Sequence, residues 1–207
     1  MYIEQTLQTY LDDLASAKSA PGGGSAAAVS GAMAAALASM VCRLTLGREK
    51  YADVQEEIAD LLNQAEEKRG RFQQLMSADI AAYTKLAACF KMPRDDEDQR
   101  SMRMDALQLC LTEAALVPLE MSERAVQVAI ICQRIAEIGN VNVLSDIAAA
   151  AMMAASAGTS AAWMVRTNLK SLQDDEVIET LSLRLSRALD EITSRCQQVT
   201  ALVGERA

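Results

Sequence analysis

The sequence contains no histidine among its 207 residues. This absence excludes a Ser-His-Asp or Cys-His catalytic group, a zinc site with histidine ligands and an imidazole general base. Proton transfer near neutral pH must therefore use carboxylates, lysine, tyrosine, cysteine or water. Aromatic residues are scarce as well, at 3%, and only three prolines occur, whereas 51% of the residues are hydrophobic. Such an alanine-rich composition favours closely packed helices over a β-sandwich.

Positive charge is also in short supply, since the formal net charge is −8. This argues against a nucleic-acid partner, because binding of a phosphate backbone needs a basic face. Residues 1–14 lack the basic start and apolar core of a signal peptide, so we expect a cytoplasmic protein. The five cysteines form no Cys-x-x-Cys pair and are expected to be reduced, buried thiols.

Hydrophobic periodicity predicts one all-α domain over residues 1–207, a bundle of about six to seven helices with long helices and an alanine-rich central helix. The central helix is apolar enough to resemble a membrane span, but it is short of large apolar side chains and ends at Arg43. We therefore expect it to pack inside the protein, with no membrane partner. The predicted helices cover residues 3–18, 26–46 with Ser25 as the N-cap, 51–91, 96–116 with a continuation after Pro118 to 138, 145–169, and a last helix capped by Asp174.

The longest of these predicted helices, residues 51–91, would exceed the length of a compact domain of this size if it were unbroken. Two explanations are open. Either Gly70 bends the helix, or the helix projects into a partner subunit.

The turn Pro21-Gly22-Gly23-Gly24-Ser25 is the first candidate functional element. Glycines let the backbone bring N–H groups close to a ligand, and the start of the next helix adds free donors and partial positive charge. The turn is therefore suited to a carboxylate, a phosphate or a developing oxyanion. It lacks the Lys-Ser/Thr of a phosphate-binding P-loop. The alternative is a flexible hinge between two helices.

Two carboxylates are candidates for acid–base chemistry. Asp146 lies in the first turn of an apolar helix, behind the polar loop residues Asn140, Asn142 and Ser145. The alternative for Asp146 is simple N-terminal capping. Asp79 lies on the apolar stripe of the third predicted helix, where a charge needs a partner or a site unless it is at the solvated edge.

A basic cluster, Arg43, Arg48 and Lys50, stands out in this acidic chain. It is either a clamp for an anionic ligand or a solvated helix end. Arg166 and Asn168 are weaker binding candidates.

Five segments resemble the formiminotetrahydrofolate cyclodeaminase/methenyltetrahydrofolate cyclohydrolase family: residues 21–28, 39–47, 50–51, 117–119 and 139–146. The resemblance covers nearly the whole chain, and the glycine turn together with the Gly-Asn…Ser-Asp segment is its most specific part. It implies a helical homodimer with a folate site near the glycine turn and the dimer contact. The short chain, together with Cys42 and the Lys50–Tyr51 pair, resembles the stand-alone bacterial cyclohydrolases.

This resemblance implies hydrolysis of 5,10-methenyltetrahydrofolate to 10-formyltetrahydrofolate, with no metal and no cofactor beyond the folate substrate. A carboxylate would stabilise the cationic substrate and accept a proton from water; Asp146 is the first choice and Asp79 the reserve. The backbone from Gly23 to Ser25 would bind the oxygen or the pterin, and Arg48 and Lys50 would pair with the glutamate tail. The alternatives are ammonia loss from 5-formiminotetrahydrofolate and a non-catalytic folate-binding or scaffold dimer.

Overall fold

The structure is a computed structural model that describes residues 2–206. Within that range it is helical and contains no strand, which confirms the prediction of an all-α bundle. The helices are α1 (Leu7–Leu14), α2 (Gly23–Thr45), α3 (Gln55–Phe90), α4 (Glu97–Ile138), α5 (Leu144–Leu169) and α6 (Asp175–Arg206). Short 3-10 turns occupy Tyr2–Glu4, Glu49–Val54 and Val141–Val143.

Helices α2 and α5 form the centre of the bundle and run antiparallel. The Ser30 hydroxyl donates to the Met153 carbonyl at 3.0 Å, and the Asn140 N–H donates to Thr45 Oγ1 at 3.1 Å. The C-terminal end of α2 therefore lies beside the start of α5. Helix α3 packs against α2, and α4 packs against α3, α5 and α6.

Small residues allow the helices to approach closely. A Cβ atom at Gly31 of α2 would lie 2.4 Å from the Phe72 ring of α3, and one at Gly158 of α5 would lie 2.3 Å from Ile192 of α6. Both large side chains are fully buried. The glycines thus make room for side chains of the facing helices, as the expected central helix lined by small residues requires.

Two helical segments, Gly23–Thr45 and Val141–Leu169, are long and apolar enough to cross a membrane by length and composition alone. They pack against each other, and more than half of the most apolar window in α2 is buried within the protein. Core helices of soluble proteins meet the same criterion, so this is weak evidence for a membrane span.

The first helix differs from its prediction. It covers Leu7–Leu14 instead of residues 3–18, and Tyr10 is its only buried residue. Ile3, Leu7 and Leu11 of the predicted apolar stripe are exposed. The helix is short and contacts the core through the buried Tyr10 and the partly buried Leu14, so only part of its apolar stripe marks a buried face.

The start of α2 is also different. Gly22 is the N-cap residue and no side chain caps the helix, so the prediction that Ser25 is the N-cap is wrong. Gly23, Gly24 and Ser25 form the first turn, and the Ser25 hydroxyl donates to the Gly22 carbonyl at 2.9 Å. Glycine disfavours a helix but does not forbid it, and the cost is small in a first turn whose N–H groups have no helical partner.

Helix α3 is a single element from Gln55 to Phe90, and residues 51–54 belong to the preceding 3-10 turn. Helix α4 likewise continues through Pro118, where a kink or a restart was expected, so the restart is excluded. Proline cannot donate to the carbonyl four residues earlier, which is that of Ala114. The Asn168 side-chain amide of α5 donates to this carbonyl at 2.7 Å and replaces the missing bond.

Other predicted boundaries are confirmed. Helix α4 begins at Glu97, next to its expected start, and ends at Ile138 before Gly139, and Asp174 accepts hydrogen bonds from the first turn of α6. The Asp96 side chain caps α4 through the Gln99 N–H, which was not predicted. All five cysteines are free, with Cys42, Cys89 and Cys132 buried and the other two partly buried.

Candidate active site

A groove of about 370 Å³ lies beside the start of α2. The backbone of Gly22, Gly23 and Gly24 forms one end of it, and α3, α4 and α5 form its walls. The N-terminus of α2 carries unpaired N–H groups and partial positive charge, so this end of the groove is suited to polar or anionic atoms.

Asp79 of α3 is the acidic side chain that lines this groove. Its carboxylate lies against Gly24 in the first turn of α2. Burial raises the pKa of Asp79 to about 6, although the nearby backbone N–H of Ser25 opposes the rise. At neutral pH the group is therefore ionised in most molecules, yet it is far more basic than an ordinary aspartate. A general base acting near pH 7 has these properties.

Gly24 is needed for this arrangement. A Cβ atom there would lie 2.1 Å from Asp79 Oδ1, inside the space that the carboxylate occupies. The neighbouring glycines are different: a Cβ at Gly22 would meet nothing within 4 Å, and one at Gly23 would be in ordinary contact with Met164 at 3.5 Å. Of the three glycines, only Gly24 is required by close packing.

Beyond Asp79, the groove follows α3 towards its C-terminal end. Tyr83, Leu86 and Phe90 line it at successive turns, and Tyr83 and Phe90 are largely exposed. The facing wall on α5 includes Thr167 and Asn168. The groove therefore joins a polar end, at Asp79 and the helix N-terminus, to a longer wall with aromatic rings.

The loop residues predicted to lie near Asp146 are at the opposite end of α2. Asn140 is buried and its side chain donates to the Leu44 carbonyl at 2.9 Å and accepts from the Asn142 N–H at 3.1 Å. Since α2 has 23 residues, this loop lies about 33 Å along the helix from the glycine turn. Ser145 and the partly exposed Asp146 follow in the first turn of α5.

The basic cluster belongs to that same far end. Arg48 and Lys50 are exposed, with Lys50 over the ring of Tyr51 at 5.6 Å. The Tyr51 hydroxyl in turn accepts from the Val141 N–H, which ties this segment to the Asn140 loop. Arg43 forms an ion pair with Glu66.

The structure thus divides the predicted site residues into two groups. The glycine turn and Asp79 meet in the groove. The second group lies at the other end of α2 and consists of Asn140, Asn142, Ser145, Asp146, Arg48 and Lys50. Pro21 and Ser25 are buried beneath the turn instead of lining the groove. The two groups do not form one pocket within a single chain.

Sequence reasoning missed some groove residues. Tyr83 belongs to the predicted apolar stripe of α3, but 43% of its surface is exposed. Its position one helical turn after Asp79 is a signal that could have assigned it to the site. Among residues 2–206, no group of three or more Cys, Asp or Glu side chains is placed to hold a metal ion.

Comparison with known families gives a clear result. The model of the formiminotransferase-cyclodeaminase family matches residues 6–187. The chain belongs to the formiminotransferase-cyclodeaminase family. The family resemblance deduced from the glycine turn and the 139–146 segment is therefore confirmed.

The relatives of this chain carry two different names. This chain is 36% identical to methenyltetrahydrofolate cyclohydrolase of Methylorubrum extorquens over 90% of each chain. It is 31% identical to formimidoyltransferase-cyclodeaminase of Rattus norvegicus over 95% of this chain but only 36% of that protein. The crystal structure of formiminotetrahydrofolate cyclodeaminase from Thermotoga maritima superimposes with a TM-score of 0.90 at 29% identity, covering 99% and 98% of the two chains.

The packing at the glycine turn leads to the first testable prediction. Gly24→Ala should displace the Asp79 carboxylate and lower kcat/KM by about 10²-fold, because small misplacements of a catalytic group are costly. Gly22→Ala, which adds the same methyl group in open space, should have little effect. Steady-state kinetics compares kcat/KM of the two variants, and circular dichroism checks that both are folded. Equal losses would show that the turn does not act through Asp79.

Proposed function

We propose that this protein is a methenyltetrahydrofolate cyclohydrolase, which hydrolyses 5,10-methenyltetrahydrofolate to 10-formyltetrahydrofolate. The observation that carries the proposal is the placement of Asp79 against the N-terminus of α2, in a groove long enough to continue past two aromatic side chains. The 36% identity to the Methylorubrum enzyme over 90% of both chains supports this activity over others in the family.

The reaction suits a site of this composition. The substrate carries a positive charge shared by N5, N10 and the carbon between them, so that carbon is already electrophilic. Asp79 stabilises the cation and accepts a proton from the water that attacks this carbon. The tetrahedral intermediate then loses its bond to N5, which takes up a proton, and the formyl group stays on N10.

The backbone at the start of α2 has a complementary role. The N–H groups of Gly23 and Gly24 point to the oxygen that develops as water adds, or to the pterin. The rings of Tyr83 and Phe90 offer apolar surface to the para-aminobenzoyl part of the substrate. No cofactor beyond the folate substrate is required by this scheme.

Cyclodeamination is the second candidate, and a specific observation favours it. The Thermotoga structure with a TM-score of 0.90 is a formiminotetrahydrofolate cyclodeaminase. In that reaction N10 attacks the formimino carbon on N5 and ammonia leaves, so the same groove would serve with Asp79 moving a proton to or from nitrogen.

A spectroscopic assay separates the two activities. With enzyme present, the absorbance of 5,10-methenyltetrahydrofolate should fall faster than in buffer alone, because hydrolysis breaks the conjugated amidinium. Unchanged absorbance, together with ammonia release from 5-formiminotetrahydrofolate, would replace the proposed activity with cyclodeamination.

The identity of the base is tested by a matched pair of variants. Asp79→Asn should lower kcat/KM by at least about 10²-fold, since it removes the proton acceptor. Asp146→Asn, at the far end of α2, should leave kcat/KM close to that of the unaltered protein. Both are compared by steady-state hydrolysis of 5,10-methenyltetrahydrofolate.

Folding provides the control for this pair. The folded-state pKa of Asp79, about 6, lies above the ordinary aspartate value of 3.8. Ionisation of Asp79 therefore disfavours folding at every pH above this interval. Asp79→Asn should therefore not lower the melting temperature at neutral pH. If Asp146→Asn lowers kcat/KM and Asp79→Asn does not, the base is Asp146. If neither substitution changes turnover, the result favours a folate-binding or scaffold dimer.

We further propose that the protein is a cytoplasmic homodimer. Large hydrophobic side chains are exposed along α2 and α5, among them Met33, Met152 and Trp163, and a patch of this kind favours association. Sedimentation equilibrium should give twice the mass of the 22.3 kDa chain. A monomer at micromolar concentration would contradict the dimer.

A further inference from the structure

Tyr10 is the residue through which the N-terminal segment reaches the candidate active site. It is the only buried residue of α1, and its hydroxyl lies 3.1 Å from Ser25 Oγ. Burial raises the pKa of the Tyr10 hydroxyl, although the hydrogen bond with Ser25 partly opposes this effect. The group is therefore protonated at every pH at which the enzyme would work.

The direction of the hydrogen bonds around Ser25 can be assigned. The Ser25 hydroxyl has one hydrogen, which it donates to the Gly22 carbonyl at 2.9 Å. Tyr10 must then donate to Ser25 Oγ. Ser25 is fully buried, so water cannot replace either bond. The resulting chain runs from the Tyr10 hydroxyl through the Ser25 hydroxyl to the carbonyl of the N-cap residue.

Neither Tyr10 nor Ser25 lines the groove, so this chain holds the first turn of α2 from outside it. The Asp79 carboxylate lies against Gly24 in the same turn, and the backbone N–H of Ser25 lowers the pKa of that carboxyl. Ser25 therefore connects a buried tyrosine to the proposed base without any contact between Tyr10 and substrate.

We infer that Tyr10 is a positioning residue, which fixes Ser25 and the first turn of α2, the turn against which the Asp79 carboxylate lies. The inference rests on the proposed function only for the role of Asp79; the geometry it describes can be measured without the reaction.

The surroundings of Asp79 make this effect measurable. The charge of Asp79 contributes to the raised pKa of Tyr10, which is neutral where Asp79 titrates, and Tyr83 of α3 is the other titratable residue lining the groove. The groove-lining residues of α4 and α5 are not titratable. No Lys or Arg among residues 2–206 forms an ion pair with Asp79. The Ser25 N–H is accordingly the principal group that lowers the pKa of this carboxyl.

The test is Tyr10→Phe, which keeps the buried ring and removes only the hydroxyl. If Ser25 and the first turn of α2 are held less firmly, the Ser25 N–H should lower the Asp79 pKa less, so that this pKa rises from about 6 by up to about one pH unit. Carbon-13 NMR of aspartate-labelled protein measures this titration directly, with Asp79→Asn to assign the signal. In the hydrolysis assay the acid limb of the kcat profile should move up by the same amount, with kcat affected more than KM.

Tyr51→Phe is the matched control, because it also removes a hydrogen-bonded tyrosine hydroxyl, but at the far end of α2. It should leave the Asp79 titration unchanged. Ser25→Ala should reproduce the shift, and adding Tyr10→Phe to Ser25→Ala should produce no further shift, since Tyr10 acts only through Ser25.

Two results would overturn the inference. The first is a Tyr10→Phe protein whose Asp79 titrates as before, even if its melting temperature falls, because that describes a merely structural anchor. The second is additive shifts from Tyr10→Phe and Ser25→Ala. If the unaltered protein lacks cyclohydrolase activity, the proposed function fails, and the NMR titration still decides the role of Tyr10.

Discussion

The structure depends on one contact, that of the Asp79 carboxylate with the first turn of α2. A buried carboxylate is costly unless its charge is compensated, and here the backbone N–H of Ser25 favours the charged form by lowering the pKa of Asp79. The contact is possible because residue 24 has no side chain. It leaves Asp79 basic enough to accept a proton near neutral pH, in a chain that has no histidine to do so.

The rest of the bundle holds the two sides of this contact in place. On one side, α2 is fixed by close packing against α3 and α5, with Gly31 accepting the Phe72 ring. On the other side, Asn168 of α5 satisfies the carbonyl that Pro118 leaves free in α4, and this amide also lines the groove. One side chain thus stabilises a continuous α4 and shapes the site wall.

Much of the fold follows from the sequence, because helices leave a strong local signal. Caps such as Asp96 and Asp174, and the stop at Gly139, depend on chemistry within one turn. The continuity of α4 through Pro118 could not be predicted, since its explanation is an amide 50 residues away in the chain. The family and the glycine turn were recognisable from the residues themselves.

The candidate site was only partly predictable, for a geometric reason. The sequence shows that Asp79 and Asp146 are carboxylates in otherwise apolar helices. It does not show that α2 and α5 are antiparallel. That arrangement places the Asn140–Asp146 loop at the opposite end of α2 from the glycines. A site that contained both groups of residues would therefore need two chains, and the exposed hydrophobic side chains of α2 and α5 are where a second chain would pack.

The central claim is that folate binds with its reacting carbon beside Asp79 and the start of α2. A crystal structure with 5-formyltetrahydrofolate, a stable analogue of the product, tests it most directly. The account predicts the formyl-bearing end of the ligand against Gly24 and Asp79, with the para-aminobenzoyl ring along Tyr83 and Phe90. Ligand bound only at the Asn140–Asp146 loop, with the groove beside Asp79 empty, would contradict it.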